Sequence, residues 1–210
     1  MNTALQPRIP SKIGEPAWEV TRFFPPQGQW TEADFLRIHT NLMAELVEGK
    51  LEILPVPTWL HQLIVDFLVT EVKRYLQNHE MGGVVLFAPL PVKLFKGTVR
   101  EPDILYVRRE NIPTDLSSYP EKIDLAMEVV SEGTEAIKRD YVDKRVDYAK
   151  AGISEYWIVD PEQSLVTVLE LNGSAYRVAQ ECRVGETARS LLLDGLLIRT
   201  DAVFTLGKRM

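Results

Sequence analysis

The sequence predicts a mixed α/β (α+β) fold in which two amphipathic helices precede a mixed central sheet and a C-terminal β-hairpin appendage follows it. Apolar residues recur at helical spacing in the first 80 residues. Three short apolar runs, ILYV, LAMEVV and EYWIV, have the length and composition of buried strands. The dipeptide Asn172-Gly173 lies between two alternating segments, which is the pattern of a hairpin.

The composition is that of a globular protein and narrows the classes of function. With 210 residues, 45% of them hydrophobic and 26% charged, the chain is long enough for one domain with a sizeable core. No stretch has the length of a membrane span, and the single cysteine, Cys182, excludes an intramolecular disulfide and a cysteine-based zinc site. We therefore expect a cytoplasmic protein without membrane contact. The net charge of −6 argues against nucleic-acid binding, although an acidic metal site also adds negative charge.

Residues 1–29 are rich in proline and glycine and show no sustained period, so we expect an irregular arm ahead of a single domain at residues 30–210. Thr31 followed by Asp34 resembles a capping box and predicts that a helix starts there. The apolar stripe of this helix extends far enough to place Glu45 at its C-terminal end.

The middle of the chain alternates between helix and strand patterns. A second helix is predicted from about Thr58 to Asn78, where apolar residues again recur at helical spacing. The segment VVLFAPLPVKLF is expected to be extended, and the sequence KGT that follows it is typical of a hairpin turn. Asp103 then leads into ILYV, a candidate central strand.

A third helix is predicted from about Glu135 to Ala151, between two apolar strands. At 100° per residue, Val142, Val146 and Ala149 define its buried face. Lys144 lies at the border of that face, so its aliphatic stem can cross apolar surface towards the sheet. The solvent side is expected to carry three acids and one lysine: Asp140, Asp143, Asp147 and Lys150.

Two carboxylates belong to predicted apolar strands or their ends. Glu128 lies inside LAMEVV, and a buried carboxylate is costly unless it is paired, protonated or bound to a metal. Because strand residues alternate between faces, Asp103 and Glu128 project from the same face if their strands are neighbours. Two close carboxylates repel each other unless one is protonated or a cation lies between them. Since Mg²⁺ takes oxygen ligands, the pair predicts a site for a divalent ion.

Several ordered segments carry a family resemblance: AELVEGKLEILP, PDILYV, LAMEVVSEGTE and RDYVDKRVDYAKAGISEYWIVDP. Together they resemble the bacterial putative restriction endonuclease family of the PD-(D/E)XK nuclease superfamily. The resemblance implies a restriction-endonuclease-like fold, with a mixed central sheet flanked by helices. It also implies that Asp103 and Glu128 bind the metal and that Glu45 is the additional acid. The usual lysine position of the superfamily holds Val130 here, so the resemblance assigns that role to Lys144.

The activity that the resemblance implies is that of a DNA endonuclease dependent on Mg²⁺, with Mn²⁺ as the alternative ion. A metal-activated water would attack the phosphorus, and Lys144 would position that water or stabilise the transition state. The irregular arm and the hairpins favour a homodimer. Two other functions stay open: a nuclease-fold protein without catalysis that binds nucleic acid or serves assembly, and acid–base hydrolysis of a different substrate by the carboxylate pair.

Other residues compete for the same roles. Glu48 is the alternative to Glu45, and Lys93 and Lys96 are alternatives to Lys144, although lysines at such positions more often protect an edge strand from aggregation. Four further side chains are interpreted as ordinary helix or core residues: His61, Tyr148, Tyr156 and Trp157.

Overall fold

A six-stranded mixed sheet forms the centre of the protein, and helices cover both of its faces. The computed structural model describes residues 24–38, 43–79 and 82–206, so the predicted N-terminal arm lies outside the described residues as far as residue 23. In chain order the elements are α1 (Glu32–Leu36), β1 (Ala44–Val47), β2 (Lys50–Ile53), α2 (Trp59–Asn78), β3 (Val84–Phe87), β4 (Val92–Phe95), β5 (Thr98–Arg100), β6 (Ile104–Val107), β7 (Leu125–Val129), α3 (Thr134–Lys138), α4 (Lys144–Lys150), β8 (Glu155–Asp160), β9 (Leu165–Asn172), β10 (Ala175–Arg183), β11 (Thr187–Arg189), β12 (Leu197–Arg199) and α5 (Thr200–Phe204).

The central sheet has the strand order β10-β9-β8-β7-β6-β3. In it β7 and β8 are parallel, and the other neighbours are antiparallel. The crossover between the parallel pair contains α3 and α4, as a parallel connection requires a long return segment. A second sheet, called the small sheet below, has the order β2-β1-β5-β4, and β11 pairs with β12. The mixed central sheet flanked by helices that the sequence predicts is confirmed.

Alternation along the central strands divides the core into two apolar layers. Ile104 and Met127 belong to the layer that packs against α2. Leu105 and Ala126 point the other way and pack with side chains of α4. The predicted central strand ILYV and the predicted second helix are therefore confirmed, and the helix begins after Thr58, whose side chain caps it.

The helix α2 is 20 residues long, and its buried residues recur along one side. Of the helices in the described part of the chain, none combines the length and the apolar character that crossing a bilayer would require.

The first helix is shorter than predicted, and Glu45 lies on a strand rather than at a helix end. Thr31 and Asp34 form the predicted capping box, but α1 ends at Leu36. Glu45 belongs to β1, which is antiparallel to β2. Phe35 of the apolar stripe belongs to α1 and Leu46 belongs to β1, and a single periodic pattern does not reveal that division.

The turn between β1 and β2 explains why the segment AELVEGKLEI forms a hairpin. Glu48 and Gly49 occupy it with positive φ angles of 49° and 74°, as two-residue hairpin turns require. Gly49 also packs closely against the preceding chain, because a Cβ there would lie 2.9 Å from the carbonyl oxygen of Gly28. A side chain at position 49 would thus displace the segment that precedes α1.

The third helix has a different buried face from the one predicted. Val142 and Val146 are 52% and 62% exposed, whereas Asp140 and Lys144 are buried. A π-helical turn at Arg139–Asp143 joins α3 to α4. Val146 is exposed within the regular helix α4, so the prediction chose the wrong face of the helix. It placed apolar side chains inward, whereas the buried face carries Asp140 and Lys144, which are paired in the core.

The predicted C-terminal hairpin is present and continues the central sheet through β9 and β10. Its two-residue loop is Gly173-Ser174, since Asn172 pairs with Ala175. Gly173 has a φ of 65° and Ser174 has no positive φ, so the turn fits type II′ and starts one residue later than the predicted Asn172-Gly173 turn. The tail then forms both a strand, β12, and a short helix, α5.

A buried carboxylate outside the candidate site fixes the C-terminal segment to the sheet. Glu155 on β8 accepts hydrogen bonds from Trp157 Nε1 (2.6 Å) and Ser190 Oγ (2.8 Å) on one oxygen. The other oxygen accepts the backbone N–H groups of Leu191 (2.6 Å) and Leu192 (2.8 Å). Each of the two oxygens thus accepts two hydrogen bonds, so a replacement side chain would need the same negative charge and the same two acceptor atoms.

We expect Glu155→Gln to lower the free energy of unfolding by about 2–3 kcal/mol, because an amide nitrogen cannot accept the donors that it would face. Urea unfolding followed by circular dichroism measures the change. The exposed Glu162→Gln on the neighbouring turn is the matched control and is expected to change stability by less than about 0.5 kcal/mol. Equal effects of the two substitutions would contradict the anchoring role of Glu155.

Candidate active site

A small cavity, called the central cavity below, lies among the β5–β6 connection, the end of β7, the start of α2 and the π turn. Its volume is about 30 Å³, which is enough to hold a water molecule. The side chains that line it include one histidine, four acids and two cations: His61, Glu101, Asp103, Glu128, Asp140, Arg139 and Lys144.

The ammonium group of Lys144 is the centre of an ion network beside this cavity. Its Nζ lies 2.8 Å from Glu128 Oε2, 3.3 Å from Glu45 Oε1 and 3.8 Å from Asp140 Oδ1. Burial alone would lower the pKa of Lys144, but these carboxylates outweigh it and hold the pKa above its ordinary value. Lys144 therefore keeps a positive charge although its side chain is almost completely buried.

Glu45 lies behind Lys144 and does not line the central cavity. Its Oε2 accepts a hydrogen bond from Arg100 Nη1 at 2.7 Å, and its Oε1 accepts one from the backbone N–H of Glu101 at 2.9 Å. Burial would raise the pKa of Glu45, but Lys144 and Arg100 outweigh it and lower the pKa below its ordinary value. Glu45 is thus an ionised acid with both oxygens in use.

Arg100 connects the small sheet to the helix that carries Lys144. It is only 1% exposed. While Nη1 binds Glu45, its Nη2 and Nε donate to Asp147 Oδ2 on α4, at 2.7 and 3.0 Å. Asp147, which was expected on the solvent side, is therefore a partner of a buried guanidinium group. The arginine fixes Glu45 and α4 relative to each other.

Asp103 directly precedes β6, Glu128 lies on its antiparallel partner β7, and both acids line the central cavity. The Oδ2 atom of Asp103 accepts the backbone N–H of Val129 at 2.8 Å and lies 3.2 Å from Nε2 of His61. His61 was interpreted as an ordinary helix residue, but it contacts a candidate acid directly. These contacts fix the orientation of the Asp103 carboxylate.

Glu128 is held on both of its oxygens. The hydroxyl of Tyr148 donates to Oε1 at 2.5 Å, while Oε2 faces Lys144. Burial raises the pKa of Glu128 above its ordinary value even though Lys144 opposes the shift. Burial also raises the pKa of Tyr148, which keeps its hydroxyl protonated and able to donate. Tyr148 packs edge-on against Tyr156, as a core residue would, and also positions Glu128.

Two further acids line the cavity that the sequence analysis did not single out as site residues. Glu101 and Asp140 are 8% and 2% exposed, and Glu101 Oε2 and Asp140 Oδ1 have no hydrogen-bond partner. Burial, reinforced by Glu45, raises the pKa of Glu101 to about 7, and burial raises the pKa of Asp140 as well. Spacing was the available signal: Glu101 is two residues before Asp103, and Asp140 is one helical turn before Lys144.

The site contains more acidic than basic groups, and this excess fits a divalent cation that takes oxygen ligands. Five buried acids face three cations: Glu45, Glu101, Asp103, Glu128 and Asp140 against Arg100, Arg139 and Lys144. Within residues 24–38, 43–79 and 82–206, no three acid, histidine or cysteine side chains already form a group that could hold a metal ion. The donor chemistry and the unpartnered oxygens therefore fit a metal ion, although the ligands have not converged on one point.

The structure brings the predicted site residues together. Asp103, Glu128 and Lys144 line the cavity, and Glu45 contacts Lys144 from behind. The sequence alternatives lie elsewhere: Glu48 and Lys96 in exposed turns, and Lys93 paired with Glu121 at 3.2 Å.

Comparison with known proteins supplies a family and a fold. The family model described as Uma2: Putative restriction endonuclease matches residues 20–200. The chain is also similar to the crystal structure of a putative nuclease belonging to DUF820 from Anabaena variabilis, with 18% identity and a TM-score of 0.67. That match covers 83% of this chain and 97% of the other. No curated protein matches the sequence. The structural match confirms the nuclease-like fold that the sequence resemblance implies.

Glu101→Gln is expected to stabilise the metal-free protein by about 1–2 kcal/mol at pH 8 and to have little effect below pH 4.5. The folded-state pKa of Glu101, about 7, exceeds its ordinary value of 4.5. The folded wild type is therefore favoured by protonation and loses stability as the pH rises between these values. Denaturant unfolding in EDTA across this pH range measures the gain. A gain that is equal at all pH values, or a loss at pH 8, would contradict the cost of an ionised Glu101.

Lys144→Met is expected to lower the free energy of unfolding by about 3–5 kcal/mol, because it leaves buried carboxylates without their cation. The exposed Lys138→Met in α3 is the matched control. In the double variant with Glu128→Gln the losses should fall short of the sum by about 1–3 kcal/mol, since the two groups interact directly. Additive losses in urea unfolding would show that the Lys144–Glu128 contact contributes nothing to stability.

Proposed function

The chain belongs to the family described as Uma2: Putative restriction endonuclease, and on this premise we propose that it is a metal-dependent DNA endonuclease. The observation that carries the proposal is the distance of 2.8 Å between Lys144 Nζ and Glu128 Oε2, next to Asp103 at the central cavity. A cation beside two acids is the combination that phosphodiester hydrolysis needs, because the acids bind a metal and the cation offsets negative charge on the phosphate.

The residue at the usual lysine position is consistent with this assignment. Val130 packs in the apolar layer beneath α4. A lysine there would bring an ammonium group into that layer, where it would need a polar partner in place of apolar contacts. Lys144 approaches Glu128 from the helix instead. The position of the ammonium group, rather than the strand or helix that carries it, decides whether it can act on a phosphate.

Asp103 and Glu128 would hold the Mg²⁺ or Mn²⁺ ion, which when bound lowers the pKa of a coordinated water and polarises a phosphate oxygen. The chain itself orients these acids. The backbone N–H of Val129 and the ring of His61 hold Asp103 at Oδ2. The Tyr148 hydroxyl holds Glu128 at Oε1. Such outer contacts keep acids in one orientation and raise metal affinity.

The role proposed for Lys144 is to stabilise negative charge that develops on the phosphate. It keeps its proton, and its side chain is buried, so its field is weakly screened. Glu45 and Arg100 act through it: Glu45 contacts the ammonium group, and Arg100 fixes Glu45. Both are positioning residues in this proposal. The homodimer and the cytoplasmic location inferred from the sequence stay predictions.

Cleavage assays test the proposal. The wild type is expected to cut plasmid or linear DNA in Mg²⁺ or Mn²⁺ and not in EDTA, while Asp103→Asn and Glu128→Gln lose about 100-fold or more in rate. The exposed carboxylate Asp66 on α2 provides the control, since Asp66→Asn should keep wild-type activity.

Acid variants that cut at the wild-type rate would remove the proposed mechanism. A wild type that retards DNA in a gel but cuts it in neither ion would instead identify a binding module with a nuclease fold.

A further inference from the structure

We propose that Glu101 is the third carboxylate of the metal site, in the place that the sequence resemblance gives to Glu45. The inference rests on the proposed function, because it names a further ligand for the same ion. The observations behind it are the contacts that the carboxylate oxygens of Glu45 and Glu101 make.

Glu45 is turned away from the central cavity, and each of its two oxygens contacts a cation. Its Oε2 accepts Arg100 Nη1 at 2.7 Å, and its Oε1 accepts the Glu101 backbone N–H at 2.9 Å and faces Lys144 at 3.3 Å. Binding a metal would break charge-assisted contacts in the interior and leave buried cations without their partner, which is costly. Glu45 also lies outside the lining of the central cavity.

Glu101 has the opposite arrangement. Its side chain is more than nine-tenths buried and lines the central cavity, and its Oε2 has no hydrogen-bond partner. Its backbone N–H donates to Glu45, which fixes the main chain of Glu101 beside the cavity. A buried acceptor without a donor is rare and calls for a ligand. A cation is the ligand that a carboxylate in this acidic setting would take.

The position of Glu101 in the chain also suits a shared ion. Glu101 and Asp103 flank Pro102 in the connection between the two sheets, and Glu128 lies on the adjacent strand β7. All three acids line one cavity with room for about one small ligand. Hard divalent ions take several oxygen ligands and keep waters in the remaining positions, so three carboxylates are an appropriate number.

Asp140 is the other cavity acid with an unpartnered oxygen, and it is less suited to the role. Its Oδ1 lies 3.8 Å from Lys144 Nζ and 3.5 Å from Arg139 Nε. A metal ion at that oxygen would face two cations at short range. Glu101 has no such contact within the described part of the chain.

The test is metal affinity, measured by isothermal titration of the full-length protein with Mn²⁺ and Mg²⁺ at pH 8. We expect Glu101→Gln to weaken binding by about 10–100-fold or more, as Asp103→Asn does, because each removes a ligand. Glu45→Gln should stay within a few-fold of the wild type, as should the surface control Asp66→Asn. Circular dichroism confirms that each variant is folded, and if Glu45→Gln does not fold, Asp66→Asn alone serves as the reference.

The outcomes separate this inference from the function on which it rests. If Glu101→Gln binds Mn²⁺ like the wild type while Asp103→Asn does not, Glu101 is not a ligand and the endonuclease proposal stands. If Glu45→Gln loses affinity and Glu101→Gln keeps it, the assignment of the resemblance is right. If the wild type binds neither ion, both the inference and the metal-dependent mechanism fail.

Discussion

The positive charge of Lys144 allows five acids to be buried in one small region. Without it, Glu45 on the small sheet and Glu128 on the central sheet would be carboxylates in the interior with too few cations to offset them. The two sheets meet at this ammonium group, so the same contact serves the assembly of the fold and the chemistry of the site. The docked helix that carries Lys144 therefore completes the surroundings of both sheets.

Arg100 is a second buried cation beside Lys144, and it fixes how the small sheet and α4 are oriented relative to each other. Its guanidinium group binds Glu45 on one side and Asp147 on the other, so the small sheet is fixed to α4 by oriented hydrogen bonds. Replacing a buried ion network of this kind by apolar groups often leaves stability unchanged or improves it. Its use here is to define where Lys144 lies relative to Asp103 and Glu128, which apolar contacts, being non-directional, would define less strictly.

The sequence predicted the parts of the site that depend on local pattern and missed those that depend on tertiary contacts. The strand run around Glu128 and the acid at Asp103 were recognisable because a carboxylate in an apolar strand has few structural explanations. Glu45 was assigned to a helix because its hairpin turn at Glu48 has no strong sequence signal. The position of Glu101 two residues before Asp103 was a signal, but its unpartnered oxygen is a property of the folded protein that the sequence does not reveal.

The π turn before Lys144 has a consequence for the tolerance of the chain to insertions and deletions. Such a turn contains one residue more than an α-helical turn. Deleting one residue from Arg139–Asp143 would restore regular helix and rotate the preceding residues of α3 by about 100°, while Lys144 and Tyr148 stay anchored to Glu128. Asp140 and Arg139 would then leave the cavity although no charged residue had been replaced. In this segment the number of residues is constrained as tightly as their chemistry, and the exposed Val142 is a position where substitution is harmless and deletion is not.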